Sequence, residues 1–401
     1  MLNWKESIIL EITRFISENE IIDIVTRLVS IESHKNSEQK ESEATACISN
    51  IFKNNDIYVE CAEIEKNRPN VTGKIFGKNK SVHLMFNGHI DTVPGFTMKY
   101  KPFVPFIKNG IIYGRGSADM KGGLTAMIAA MIAVKRQGLD LKKTVAFAGV
   151  IDEEERSKGT EYLIKKNITS DYVVIGEPTN LRVCTAHKGM EWIEVTFKGA
   201  ATHGSRPKEG KNAIYMASEF CRMIYDELEL VIEKRRHELL GCGSINVGRI
   251  EGGNDPNIVP DTCSVQIDRR WLPGETLEFI HNEIESYAAK AAEKFKGQYE
   301  LKAMREFTAS MINAPYSIDQ NHDLVKKALN ITSAVTGQKL PAKDFPAWSD
   351  AGLLSNHTNA KCIILGPGSI TQAHANDEFC SIDEILKASE IYYKLIKNLC
   401  L

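Results

Sequence analysis

Short apolar runs of strand length alternate with helical stretches across residues 82–175, and nothing else in the sequence narrows the fold as far. Residues 82–86, 144–151 and 172–175 have the length and composition of buried strands, and residues 124–137 and 160–166 between them have helical spacing. Chains with this alternation build an α/β layer, a mixed but mostly parallel sheet with helices on its faces. Upstream, Ile8, Ile12, Phe15 and Ile16 fall at helical spacing, and a second amphipathic run covers 21–29.

The middle of the chain reads differently. A strand at 192–197, a helix over 212–228, strands at 244–250 and 263–271, a helix over 275–295 and a strand at 298–304 follow the order of a ferredoxin-like α+β unit. Apolar residues alternate at Ile193, Val195 and Phe197, which predicts one sheet face under helices and the other open. After residue 309 the α/β character resumes with a helix over 324–335, a buried strand at 362–365 and an amphipathic helix over 382–398. The expected organisation is a large domain in two parts, 1–190 and 309–401, with a smaller domain, 191–308, inserted between them.

Composition excludes several function classes. Fifty basic and 52 acidic residues give a net charge of -2, and the basic residues form no stripe, so neither nucleic acid nor an anionic membrane is an expected partner. The first twenty residues interrupt their apolar positions with Lys5, Glu6, Glu11 and Arg14, unlike a secretory leader, and the apolar run 125–134 is too short to span a bilayer. A cytoplasmic protein is expected. Nine cysteines without a CxxC pair predict neither a disulfide framework nor a thiolate zinc site, so a metal would be held by His and carboxylates.

Five segments carry such groups at the ends of apolar runs. In HLMFNGHIDTVPG, His89 and Asp91 leave the C-terminal end of a strand, where open α/β sheets bind ligands, and residues two apart face one side. Asp119 in YGRGSADMKGG precedes a helix, where an N-cap is the ordinary reading. Asp152, Glu153, Glu154 and Glu155 end a strand together, and adjacent acids repel unless cations compensate. Glu177 stands between Gly176 and Pro178 just past a strand, and His374 follows a glycine-rich turn in GPGSITQAHANDE. Each has a plain reading as a surface turn. Jointly they supply nitrogen and oxygen ligands for two Zn²⁺ ions sharing a carboxylate, with a spare Glu to carry a proton.

The motifs GHIDTVP, GRGSADMKGG, DEEE, GEPT and AHANDE, in this order from about residue 20 to the C-terminus, resemble the zinc metallopeptidase family of aminoacylases, acetylornithine deacetylases, succinyl-diaminopimelate desuccinylases and glutamate carboxypeptidases. The resemblance implies that His89, Asp119 and Glu177 hold one zinc and Asp119, Glu154 and His374 the other; cobalt or manganese would suit the same ligands. It gives Asp91 the task of buttressing His89 and Glu153 that of general base. Glu154 is the alternative base, because the acidic run offers two adjacent pairs. It also implies a cis peptide after Asp119.

GAATHGSRPKEGKNAI, GGNDPNIVPD and DRRWLPGE resemble the family's lid, through which its members form homodimers. His203 would reach the reacting carbonyl in a partner subunit, and Asn257 and Arg270 would bind substrate, Arg270 by its planar fork. Gly366 and Gly368 would shape the pocket floor with backbone N–H groups, Asp350 would support the site, and His187 would lie close to it. A Glu at position 177 goes in this family mostly with deacylases and carboxypeptidases. The expected activity is hydrolysis of the amide bond in a small N-acyl amino acid, within amino-acid metabolism. A dipeptidase or carboxypeptidase is the alternative, and a non-catalytic binding protein on the same fold is the alternative from another class.

Overall fold

The computed structural model describes residues 10–401. The helix expected through Ile8 begins outside the described residues. The described part of it, Glu11–Arg14, is a 3-10 turn. A continuous helix is stopped by Ser17, whose hydroxyl accepts from the Glu20 amide while Glu20 accepts from the Ser17 amide. This capping box starts a new helix, Glu18–Val29.

The chain forms two units: one runs up to Thr185 and resumes from Ile318 to Leu401, and the other is Ala186–Ser317. The first is built on a sheet in the order Tyr58–Glu65, Arg68–Ile75, Lys143–Val150, Asn79–His89, Tyr172–Ile175, Lys361–Ile364, Cys184–His187. The four strands Lys143–Val150, Asn79–His89, Tyr172–Ile175 and Lys361–Ile364 are mutually parallel. The hairpin Tyr58–Glu65/Arg68–Ile75 extends this core antiparallel. No alternation announced the hairpin: Arg68–Ile75 opens with a buried arginine and a proline, and its residues are buried on both faces.

Parallel pairing levels the strand ends. His89 stands opposite Val150, and Asn87 opposite Ile175, which in turn faces Ile364. Two residues past Asn87 and Ile175, His89 and Glu177 therefore leave the sheet side by side, next to the turn after Val150. One edge of the sheet collects three of the five segments through register alone.

The apolar helix is longer than the run 125–134 implies. The helix proper is Gly122–Gln137, 16 residues; with the kinked turn before it the stretch Ser117–Gln137 passes the length and composition expected of a membrane span, but its most apolar window is wholly buried inside the unit. Its apolar surface is spent on the sheet, on the C-terminal helix Ile382–Cys400 and on the helix Glu18–Val29.

The Ala186–Ser317 unit has the four-stranded antiparallel sheet Ser244–Gly252, Thr262–Trp271, Gly189–Lys198, Gln298–Ala303, the ferredoxin-like order. Helices Ala213–Met223 and Leu277–Lys294 cover one face, where Ile193, Val195 and Phe197 are fully buried. The helix expected over 212–228 continues through a wide turn, Ile224–Leu228, into Glu229–Glu233.

In the first unit, the helix Gly122–Gln137 packs its first turn so closely on the loop after Tyr172–Ile175 that a Cβ on Gly123 would sit on the carbonyl oxygen of Gly176. Gly123→Ala is expected to lower the urea midpoint, with an overpacking cost of about 1–3 kcal/mol, although alanine's helix propensity favours it by about 1 kcal/mol. An unchanged or raised midpoint would show that the approach is not tight.

Candidate metal centre

Five side chains from separate segments meet at the C-terminal edge of the parallel sheet. His89 closes its strand with the ring 1% exposed, and its Nε2 lies 2.9 Å from Asp119 Oδ1 and 3.7 Å from Glu177 Oε1. On the far side of the same carboxylate, Asp119 Oδ2 is 3.7 Å from His374 Nε2, which is 2.9 Å from Glu154 Oε2. Two triads result, His89–Asp119–Glu177 and Asp119–Glu154–His374, each with one donor atom per residue and all donors within 4.8 Å of one another. Asp119 belongs to both. The peptide bond from Asp119 to Met120 is cis.

The donor set fits divalent cations. It consists of imidazole nitrogens and carboxylate oxygens at mutual distances that a shared ion satisfies. Glu154 Oε1 is moreover buried without a hydrogen-bond donor, a state that costs free energy unless a cation meets it.

The surrounding groups fix these side chains. His89 Nδ1 is held by the backbone carbonyl of Asp91 at 3.0 Å, while the Asp91 carboxylate is 3.7 Å away. That carboxylate instead accepts from the amides of Glu153 and Glu154, at 3.3 and 3.2 Å, and so orients the acidic turn. The four acids of the turn separate. Asp152 turns to Arg68, 2.6 Å away, which also binds the fully buried Glu41 at 2.6 Å. Glu155 pairs with Lys35. Glu154 faces His374, and Glu153 is left half-buried beside the triads. Sequence reading missed Arg68 and Glu41, because both lie far from any motif.

Asp350 is buried, receives the Thr160 hydroxyl at 2.6 Å, and is pushed up to about 6 by burial. Gly366 and Gly368 do not offer their N–H groups to a ligand. Gly366 N–H donates to Thr179 Oγ1 and Gly368 N–H to Glu384. The turn instead packs on the Glu177 loop, where a Cβ on Gly366 would strike the carbonyl oxygens of Gly176 and Glu177. The expected floor of free donors is thus replaced by a backbone-on-backbone contact.

In the Ala186–Ser317 unit, His203 is exposed and bonded to Ser205, and its loop bridges to Ile258, next to the exposed Asn257. Arg270 is held by Asp268 at 2.9 Å. It pairs with Ser244, whereas Gly252 pairs with Cys263, so Arg270 and the Asn257 loop stand at opposite ends of the sheet. Arg270 lies eight residue steps along the strand from Thr262, roughly 26 Å. His187, expected close to the site, is fully buried in the strand that pairs with Tyr316.

Withdrawal from water pushes the Glu153 and Glu177 carboxyls well above the usual carboxylate range; neighbouring carboxylates add to this and His89 opposes it. Burial takes Asp91 to about 8. Burial acts on Asp119 in the same direction, but the hydrogen bond to His89 and the charges of His89, His374 and Arg115 hold it low. Burial alone would lower His89, yet Asp119 and Glu177 raise it well above its ordinary value. His374 is raised chiefly by its hydrogen bond to Glu154.

The sequence pattern of Peptidase family M20/M25/M40 matches residues 85–398. The acetylornithine deacetylase of Aliivibrio salmonicida is 30% identical over 348 residues, covering 85% of this chain and 87% of the relative. The LysW-lysine/LysW-ornithine hydrolase of Sulfurisphaera tokodaii is 28% identical over 398 residues, covering 98% and 99%. Among solved structures, aminopeptidase PepT from Bacillus cereus superposes with a TM-score of 0.77 at 20% identity, covering 95% of this chain and 98% of that one.

Stripped of cations, the protein is expected to lose stability as pH rises from about 5 to 7. Over that range Asp91, taken to about 8, keeps in the folded state a proton that it releases when unfolded, and the raised Glu153 and Glu177 carboxyls act in the same direction, which makes the slope negative. His187, pulled to about 4 by burial, opposes them with a single proton, and Lys121, pulled to about 7, acts in the opposite sense only above that pH. Urea midpoints in EDTA should therefore fall with pH, and Zn²⁺, by displacing those protons, should flatten the curve. A midpoint in EDTA that climbs across this range contradicts the assignment.

Proposed function

The chain belongs to peptidase family M20/M25/M40 and is a hydrolase of that family, and from that premise we propose that it is a two-metal amidohydrolase cleaving the amide bond of a small N-acyl amino acid. The observation that carries the reading is the pair of triads sharing Asp119 with Glu153 beside them. His89, Asp119 and Glu177 would hold one divalent cation, of the zinc class, and Asp119, Glu154 and His374 the second. Bound there, two such ions supply acidification of a water and polarisation of the scissile carbonyl.

The chain's own groups do the rest. Glu153 takes the proton of the attacking water and returns it to the leaving nitrogen. Glu154 is committed to His374 and Glu155 to Lys35, which supports Glu153 in this role over its neighbours. Asp91 positions two things at once, the His89 ring through its carbonyl and the acidic turn through its carboxylate. A small acylated amino acid is supported by the deacetylase relative and by Glu177; the alternative is a dipeptidase or carboxypeptidase.

We assign the Ala186–Ser317 unit to substrate binding and homodimer formation. A single unit spaces Arg270 too far from His203 and Asn257 for one small substrate to touch all three. Two copies remove the difficulty if Arg270 comes from one subunit and His203 with Asn257 from the other. Tyr225, Leu230 and Ile250 leave apolar surface on this unit, Tyr225 74% exposed, which suits a partner copy. Arg270 would take the substrate carboxylate and His203 donate to the developing oxyanion.

Turnover on a panel of N-acetylated amino acids, run beside dipeptides, is expected to favour the former and to vanish in EDTA. Glu153→Gln should bind two Zn²⁺ ions as the wild type does and lose about 10²–10⁴-fold in turnover; near-normal turnover would move the base to Glu154. Mixing inactive His203→Ala and Glu153→Gln subunits should restore roughly a quarter of wild-type turnover in a two-fold dimer, and no recovery removes the shared site.

A further inference from the structure

Glu378 has no part in the chemistry above, yet it is fully buried four residues after His374. Its carboxylate meets four donors, all on one short segment. Oε2 accepts from Arg115 Nη1 at 2.7 Å and from the Gly116 amide at 3.0 Å; Oε1 accepts from the amides of Ala118 at 2.9 Å and Asp119 at 3.1 Å. That segment needs an outside anchor, because Gly116 takes φ +85° and Asp119 and Met120 leave helical geometry just before the helix begins. Its amides have no regular ladder to join.

The Glu378 end is anchored as well. The Gly114 amide donates to the Glu378 carbonyl, Phe379 pairs with Tyr113, and the Lys99 amide donates to Asn376. The carboxylate thus ties the backbone at Asp119 to the segment that carries His374. We infer that Glu378 is a positioning residue that fixes Asp119 relative to His374 and so sets the affinity of both cation positions. The inference rests on the reading of these residues as metal ligands. Only a carboxylate serves: the amide of glutamine offers one accepting oxygen, and its NH₂ would face N–H donors.

Glu378→Gln keeps the shape and removes two of the accepting positions. Competition for Zn²⁺ against a chromophoric chelator should show both ions bound about 10–100-fold more weakly than in the wild type, while His374→Ala weakens chiefly one. Urea unfolding of the EDTA-treated variant reports its fold separately. A lower urea midpoint with unchanged Zn²⁺ affinity would mean a purely structural role and overturn the inference. If Glu378→Gln does not fold, Glu378→Asp keeps the charge but shortens the reach, and wild-type Zn²⁺ affinity in it overturns the inference equally. A wild-type protein that fails to take up two Zn²⁺ ions sinks the ligand reading itself, a result distinct from either.

Discussion

Carboxylates crowded at one end of a parallel sheet repel one another, and the rest of this structure follows from how that repulsion is met. Asp91, Asp119, Glu153, Glu154, Glu177 and Asp350 surround two imidazoles; Asp91, Asp119, Glu177, Asp350 and His89 are buried there, while His374 stays half exposed. Within the chain, the compensation is incomplete: only Asp119 is held below its ordinary range, while Asp91, Glu153 and Glu177 are driven toward their neutral forms. A folded state that keeps such a cluster is poised to exchange protons for divalent cations, and folding alone gives no reason to gather these groups.

Holding ligands in place falls to groups that never touch the centre. Arg68, itself held by Glu41, draws Asp152 out of the acidic turn, so the turn presents Glu153 and Glu154 in one sense only. Asp91 fixes the same turn through two amides, and Glu378 fixes the loop of Asp119 through three amides and Arg115. The Glu177 loop is held differently, by bare backbone contact, with Gly123 on one side and Gly366 on the other approaching closer than any side chain allows. Three ligand-bearing loops are thus each secured by an internal charge, a carboxylate or a glycine contact.

The Ala186–Ser317 unit poses a separate constraint. Its sheet puts His203 and Asn257 at one end and Arg270 at the other, and its helix-free face leaves Trp192 and Arg270 partly open to solvent. A rigid sheet cannot bring its two ends to one small molecule. That geometry, together with exposed apolar residues, gives the proposed homodimer a physical motive that resemblance by itself does not supply.

The alternating elements of the α/β core, the ferredoxin-like unit and the segments whose acids and imidazoles come together were legible in the sequence because each leaves a local trace. Alternation marks the strands, and an acid or imidazole at the end of an apolar run marks a sheet edge. The breaks were harder to see. The capping box at Ser17 and Glu20 ended the expected first helix, although its spacing was present in the sequence, and the hairpin Tyr58–Glu65/Arg68–Ile75 carries no alternation to betray it. What only the tertiary structure decided is who partners whom across long sequence separations. Glu378 reaches Arg115 and Asp119, Arg68 reaches Asp152, and the N–H groups of Gly366 and Gly368 are consumed by Thr179 and Glu384. The chain writes its periodicities residue by residue, but a buried acid and its donors are chosen by where the backbone brings them, and no pattern along the sequence records that meeting.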